Sequence, residues 1–274
     1  MDSRTRKQFL IACVSVVVLT GGAFGLWRFF FYEAPSCLDG IRNQNETDVD
    51  CGGVCGQCVG LPQPLRKGNI EVVSGERGTF DVAFRVENPN SQWGVKTMPY
   101  TVLLKGAGGE TLTEREGKLF LLPLEYAPVV EQAVVSNRTA VRAEVILGEP
   151  TWVEVPDAVR DDQLVVLNPT FSRLAVGPDI AELSAIIRND SPFTYDRIEV
   201  HVVLIGPDEG VLAARRTEMR TLAAGERREF RVAWRAPIGI SGDPRVEISA
   251  RTNVFENENF VREHGTVERF QELR

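Results

Sequence analysis

A chain of 274 residues is long enough for about two domains, and a composition of 43% hydrophobic and 25% charged residues is that of a folded protein. The 38 acidic and 31 basic side chains leave a net charge of −7 with no dense basic run, which argues against phosphate-backbone binding. Nucleic acid is therefore not an expected partner.

The first predicted element is a membrane span over residues 9–31, preceded by a short tail at 1–8. From Phe9 to Trp27 there is no charged residue. Such a run approaches the ~20 residues that a helix needs to cross the hydrocarbon layer. Arg28 is placed to snorkel, and Trp27 and Tyr32 suit the lipid–water interface. Arg4, Arg6 and Lys7 precede the span, so the N-terminus is expected in the cytoplasm and the bulk of the chain outside, periplasmic or extracellular. The competing reading is a cleaved signal peptide, with small residues at Thr20, Gly22, Ala23 and Gly25. The apolar run continues past them into an aromatic cluster, which favours an anchor, and either reading exports the rest.

Next comes a cysteine-rich knot at 37–58. Cys37, Cys51, Cys55 and Cys58 follow the spacing C-x13-C-x3-C-x2-C, while Cys13 lies inside the apolar run. An even number of cysteines in an exported segment argues for two disulfides, and the spacing leaves all three pairings open. Zinc ligation and a Cys55–Cys58 redox pair are weaker readings, because the ligand pairs are asymmetric and no strand–helix unit flanks them. The loop also carries Asp39, Asn43, Glu46, Asp48 and Asp50, an oxygen-rich set of the kind calcium takes, although without EF-hand order. The alternative is that these side chains cap turns. Calcium is the single cofactor the sequence suggests.

The knot resembles a motif of exported, envelope-associated bacterial proteins, C-x-D-G-x-x-N-x-x-E-x-x-x-D-C-G-G-x-C-x-x-C. Cys37, Asp39, Gly40, Asn43, Glu46, Asp50, Cys51, Gly52, Gly53, Cys55 and Cys58 all fit it. The resemblance implies an envelope setting and no particular activity.

After the Pro-punctuated stretch Leu61-Pro62-Gln63-Pro64 the pattern changes to period two. Phe80, Val82, Phe84 and Val86 alternate with polar residues, as do Tyr100, Val102 and Leu104. The second half repeats this with Leu183, Ala185 and Ile187, then Ile198, Val200, Val202 and Leu204, then Phe230, Val232 and Trp234. Asn88-Pro89-Asn90 and Asn189-Asp190-Ser191 end corresponding strands about 100 positions apart. The predicted fold class is mainly β: two tandem Ig-like antiparallel β-sandwiches over 68–157 and 162–255, then a charged tail at 256–274. The Asn-ended strands and the Gly225-Glu226 turn are similar to those of FxLYD domains and of the water-stress type of late-embryogenesis-abundant domain. That resemblance implies binding or structural modules without catalysis.

Chemistry-bearing patterns are few. His201 shares a strand face with Glu199 opposite the apolar face, so it is expected in solvent, and His264 falls in the tail. Trp93, in the loop 88–94, reads as an exposed binding contact or as a cap over the sandwich end, and Trp234 as core. The expected function is a non-enzymatic, membrane-anchored envelope protein that presents two sandwiches to another envelope protein or surface component. A calcium-binding or stress-protective surface protein is the alternative, and an extracytoplasmic hydrolase the remote one.

Overall fold

A computed structural model describes residues 13–22, 24, 26, 36–37, 39, 41–47, 49–55, 60–155, 163–176, 180–239 and 243–258. The chain divides into two compact units, Met1–Gly60 and Leu61–Arg274.

In the first unit, residues 13–22 are helical, as are Phe24 and Leu26, and their apolar side chains are exposed. No helix among the described residues is long and apolar enough to cross a membrane. The rest of the predicted 9–31 span and the 1–8 tail lie outside the described residues. The knot is built of turns around a disulfide between Cys37 and Cys55. Cys51 is disulfide-bonded as well, whereas Cys58 lies outside the described residues. Gly52 and Gly53 sit at φ +82° and +59°, and a Cβ on either would collide with Thr47 or with the Asn45 carbonyl. Only glycine fits there.

Among the described residues the second unit is built of strands, with one 3-10 turn after the last. The first sandwich holds β1 (Arg66–Ser74), β2 (Thr79–Glu87), β3 (Trp93–Lys105), β4 (Thr111–Leu121), β5 (Tyr126–Val135), β6 (Arg142–Leu147) and β7 (Thr151–Glu154). Its sheets are β1-β2-β5 and β4-β3-β6, with β7 paired to β3. The second sandwich holds β8 (Leu164–Arg173), β9 (Ala181–Asn189), β10 (Tyr195–Ile205), β11 (Val211–Leu222), β12 (Arg227–Trp234) and β13 (Arg245–Arg251). Its sheets are β12-β9-β8 and β11-β10-β13, and a short turn, η1 (Val254–Glu256), follows. All pairings are antiparallel.

The alternation read from the sequence is the core pattern. Val82, Phe84 and Val86 face Tyr100, Val102 and Leu104 across the first sandwich, where Phe84 meets Tyr100 edge-on at 5.2 Å. Leu183, Ala185 and Ile187 face Ile198, Val200, Val202 and Leu204 across the second, closed by Phe230, Val232 and Trp234.

Each sandwich is also tied by one buried asparagine. The Asn88 Nδ2 donates to the carbonyls of Trp93 (2.6 Å) and Leu122 (2.9 Å), and its Oδ1 accepts from the Asn90 backbone N–H. The Asn189 Nδ2 donates to the carbonyls of Phe193 (2.7 Å) and Leu222 (3.1 Å), and its Oδ1 accepts from the Ser191 N–H and hydroxyl. Both side chains are 0% exposed. A buried amide with every group paired fixes one strand end against two others, and an apolar residue there would remove several buried hydrogen bonds at once.

Tandem sandwiches were expected; these two are also stacked. The outward face of β1-β2-β5 packs on the outward face of β11-β10-β13, burying Ala83, Val130, Val203, Ile205 and Ala214. Strands β2 and β10 are thus covered on both faces.

Candidate functional site

The stacking brings the chemistry-bearing side chains of the second unit to one seam. Along its apolar strip run charge pairs that cross from one sandwich to the other. Asp81 on β2 accepts from Arg215 on β11 (2.5 Å) and from the Ala133 N–H (2.8 Å). Burial pushes the Asp81 carboxyl up, against the pull of both donors. Arg85 on β2 pairs with Glu247 on β13. At the other end Arg251, 4% exposed, leaves β13 to grip Glu125 with two nitrogens (2.7 and 3.1 Å). It donates as well to the Phe120 carbonyl (2.6 Å) and stacks over the Phe120 ring at 4.4 Å. A bidentate guanidinium that also stacks is the geometry arginine suits and lysine does not.

Between these anchors lies a chain of buried polar groups. The Tyr100 hydroxyl donates to Glu131 on β5, and burial with the nearby carboxylate pushes the phenol up. Arg216 on β11 lies 3.9 Å from Glu131 and donates to Glu199 at 2.9 Å. Burial opposes ionisation of Glu199, but His201, Arg216 and Arg251 outweigh it and hold the carboxyl down at about 2.

His201 corrects an expectation. It is not in solvent but 2% exposed, with its Nδ1 accepting the Val130 backbone N–H at 3.0 Å. Its strand face is indeed opposite the second sandwich's core, as read, but that face is covered by the first sandwich. The sequence carried the signal: Val200 to Ile205 is apolar on both faces apart from His201, the mark of a strand buried on both sides.

Beside this chain opens a cleft of about 430 Å³ between the sandwiches, with Lys96, Lys118 and Phe120 on one wall and Arg197, Glu199 and Arg216 on the other. The lining is polar and of mixed charge, suited to a partner carrying both signs. The turn η1 closes one end, where the Asn253 Nδ2 donates to the Lys96 carbonyl (3.0 Å) and the Asn257 Nδ2 to the Thr194 carbonyl (3.1 Å).

Trp93 is a second correction. It is 8% exposed because residues 93–97 form the start of β3, paired to β7, rather than a loop. It offers no exposed contact.

In the knot, the acidic side chains act as staples. Asp39 accepts from the Ser36 and Ile41 N–H groups and from the Asn43 amide, which hold its carboxyl below the ordinary range. Glu46 accepts from the Asn43 and Asp50 N–H groups, and Asp50 from the Asp39 N–H. Asp48 lies outside the described residues. Glu46 also lies beside Cys37 and Cys55, but those sulfurs are bonded to each other and offer no thiolate to a metal.

No family model and no curated protein matches the sequence. Among solved structures, the chain is similar to red sea bream transglutaminase at 14% identity and a TM-score of 0.23, covering 68% of this chain and 29% of that one. It is similar to Bacteroides uniformis β-glucuronidase at 14% identity and a TM-score of 0.20, covering 58% and 22%. The tandem CBM22 domains of Paenibacillus barcinonensis Xyn10C align at 9% identity and a TM-score of 0.15, covering 72% and 89%. The chain spans less than a third of the length of the first two. Likenesses this faint carry no argument about activity.

Proposed function

We propose that this chain is a single-pass envelope protein: an N-terminal apolar helix anchors it, and its sandwiches form one non-catalytic binding or structural body outside the cytoplasm. The observation that carries the reading is the disulfide-bonded knot directly after an uncharged apolar run, because disulfides persist in oxidising compartments. The Ig-like, FxLYD-like character of the sandwiches belongs to the same reading. So does non-catalysis: among the described residues, His201 and the carboxylates of Asp81, Glu131 and Glu199 are tied into the seam, with the His201 Nδ1 already accepting a backbone N–H. The partner is another envelope protein or surface component, and the mixed-charge cleft is where its polar groups would dock.

The test is topology. In a bacterial host, the full chain should stay with the membrane through alkaline carbonate extraction, and its second unit should be digested when protease is added to spheroplasts whose inner membrane is intact. Release by carbonate, or maleimide labelling of Cys37 and Cys55 without reductant, would contradict the proposal.

A calcium-responsive role is kept as a second reading on one atom: the Asn43 Oδ1 is buried in the acidic loop with no hydrogen-bond partner. Calorimetric titration of calcium into the full chain should then show binding that Asp39→Asn abolishes, and no heat would remove this reading.

A further inference from the structure

The seam holds a buried histidine that the anchoring role does not use. We propose that His201 is a proton-operated latch between the sandwiches: neutral, it ties β10 of the second to β5 of the first, and protonated on Nδ1 it lets them part.

The geometry sets the tautomer. The Nδ1 accepts the Val130 N–H, so it carries a lone pair, and the single ring proton of the neutral form sits on Nε2. The Nε2 is buried without a hydrogen bond, and Glu199 Oε2 lies 3.6 Å away. Strand β5 is the edge of its sheet, so the Val130 N–H points away from the ladder and takes the imidazole as its acceptor. A second ring proton has one place to go, Nδ1. It would set two donors against each other, and Val130, itself 0% exposed, would lose its acceptor in a dry seam. Separation relieves both faults by letting water reach the imidazolium and the amide.

The charged groups around the ring set the pH at which it takes its proton. On its own strand stands Glu199, on β11 Arg216, on β13 Arg251, and on β5 Glu131, backed by Tyr100 of β3. Burial is the largest influence and holds the imidazole below its ordinary range; Arg251 and Arg216 act the same way, while Glu199 pulls against them. The ring therefore stays neutral while the seam is shut and takes its proton as the seam opens. Glu199 also lines the cleft, which gives protons a route from solvent to the ring. What opening uncovers is the apolar strip of Ala83, Val130, Val203, Ile205 and Ala214, a surface a partner can cover only under acid conditions.

The test uses the full chain in detergent micelles with His264→Gln, which leaves His201 as the one remaining imidazole of two. Ring ¹⁵N shifts report the tautomer, and hydrogen exchange at the Val130 amide, corrected for intrinsic rate, reports the seam. The expected result is a neutral Nε2–H ring at pH 7.5 and a Val130 protection factor that falls up to about tenfold per pH unit below pH ~6.5, the limit for one coupled proton. In His201→Gln, whose amide oxygen also accepts but does not titrate, protection should be flat over that range. The latch is overturned if protection falls equally in both proteins, or if His201 becomes doubly protonated with Val130 protection unchanged. Should His201→Gln fail to fold, Glu199→Gln removes the carboxylate that favours the proton in the closed seam, so the fall in protection must continue to lower pH before it levels off; an unmoved lower limit also overturns it.

Discussion

The two sandwiches solve one problem with the same polar device and differ in how they finish it. In the first, Asn88 is completed by the side chain of Asn90, which reaches on to hold the Gln63 backbone through both its N–H (2.7 Å) and its carbonyl (2.9 Å). In the second, the Ser191 hydroxyl completes Asn189 and turns back to the Phe193 carbonyl (3.2 Å). The following turns also correspond: the Glu125 carboxylate accepts the Leu122 N–H, and the Glu226 carboxylate the Ala223 N–H. The left-handed position before each acid is Leu124 at φ +56° in the first and Gly225 at +72° in the second. The shared part is the buried hydrogen-bond pattern, and the variable part is what touches solvent or linker. The repeat is therefore written in its polar interior as much as in its apolar alternation.

Breaking that shared device should have the largest effect. Asn189→Ala takes one donor from each of three carbonyls and the side-chain acceptor from a buried N–H, and Asn88→Ala removes a similar set of bonds. Each should cost about 3 kcal/mol or more in urea unfolding. A loss under 1 kcal/mol would mean that the tie is not structural. Next in size, Arg251→Met removes the clasp between the sandwiches and should cost about 2–4 kcal/mol, splitting one calorimetric transition into two as the halves uncouple.

Acid sharpens the comparison by acting on the seam and not on the ties, which hold no ionisable group. His201 has its folded value depressed, so its contribution is complete above the unfolded value near 6.5 and declines as pH falls below it. Glu199, at about 2 when folded, adds a second loss that begins only below about pH 4.5. Stability should thus fall in two steps, each by at most about 1.4 kcal/mol per pH unit per proton. With His201→Gln the upper step should vanish. The smallest effect is expected at the turns. Leu124→Gly should stabilise by about 0.5 kcal/mol and Gly225→Ala destabilise by about 1 kcal/mol, since only glycine takes that backbone region without a steric cost.

Much of the fold was legible in residues taken singly. Period two in Phe80–Val86 and Ile198–Leu204 placed the core faces, and the Asn-ended strands marked the repeat. What could not be read was the stack. Alternation says which face of a strand is apolar, and not whether another sheet will cover the polar one. His201 was assigned to water for that reason, while Val203 and Ile205 on its own face pointed the other way. Trp93 was misplaced because Asn88-Pro89-Asn90 reads as a long loop, and the pairing of residues 93–97 with β7 depends on a partner more than fifty positions away. In the knot, the acids at Asp39, Glu46 and Asp50 answer to both readings weighed for them, since staples and calcium ligands draw on the same side chains.

Differential scanning calorimetry of the intact chain at pH 7.5 tests the central claim, that a shared seam makes the two sandwiches one cooperative body. One transition for the second unit, with matching calorimetric and van't Hoff enthalpies, is the predicted result. Two separable transitions in the unaltered protein, unmoved by Arg251→Met, would contradict it.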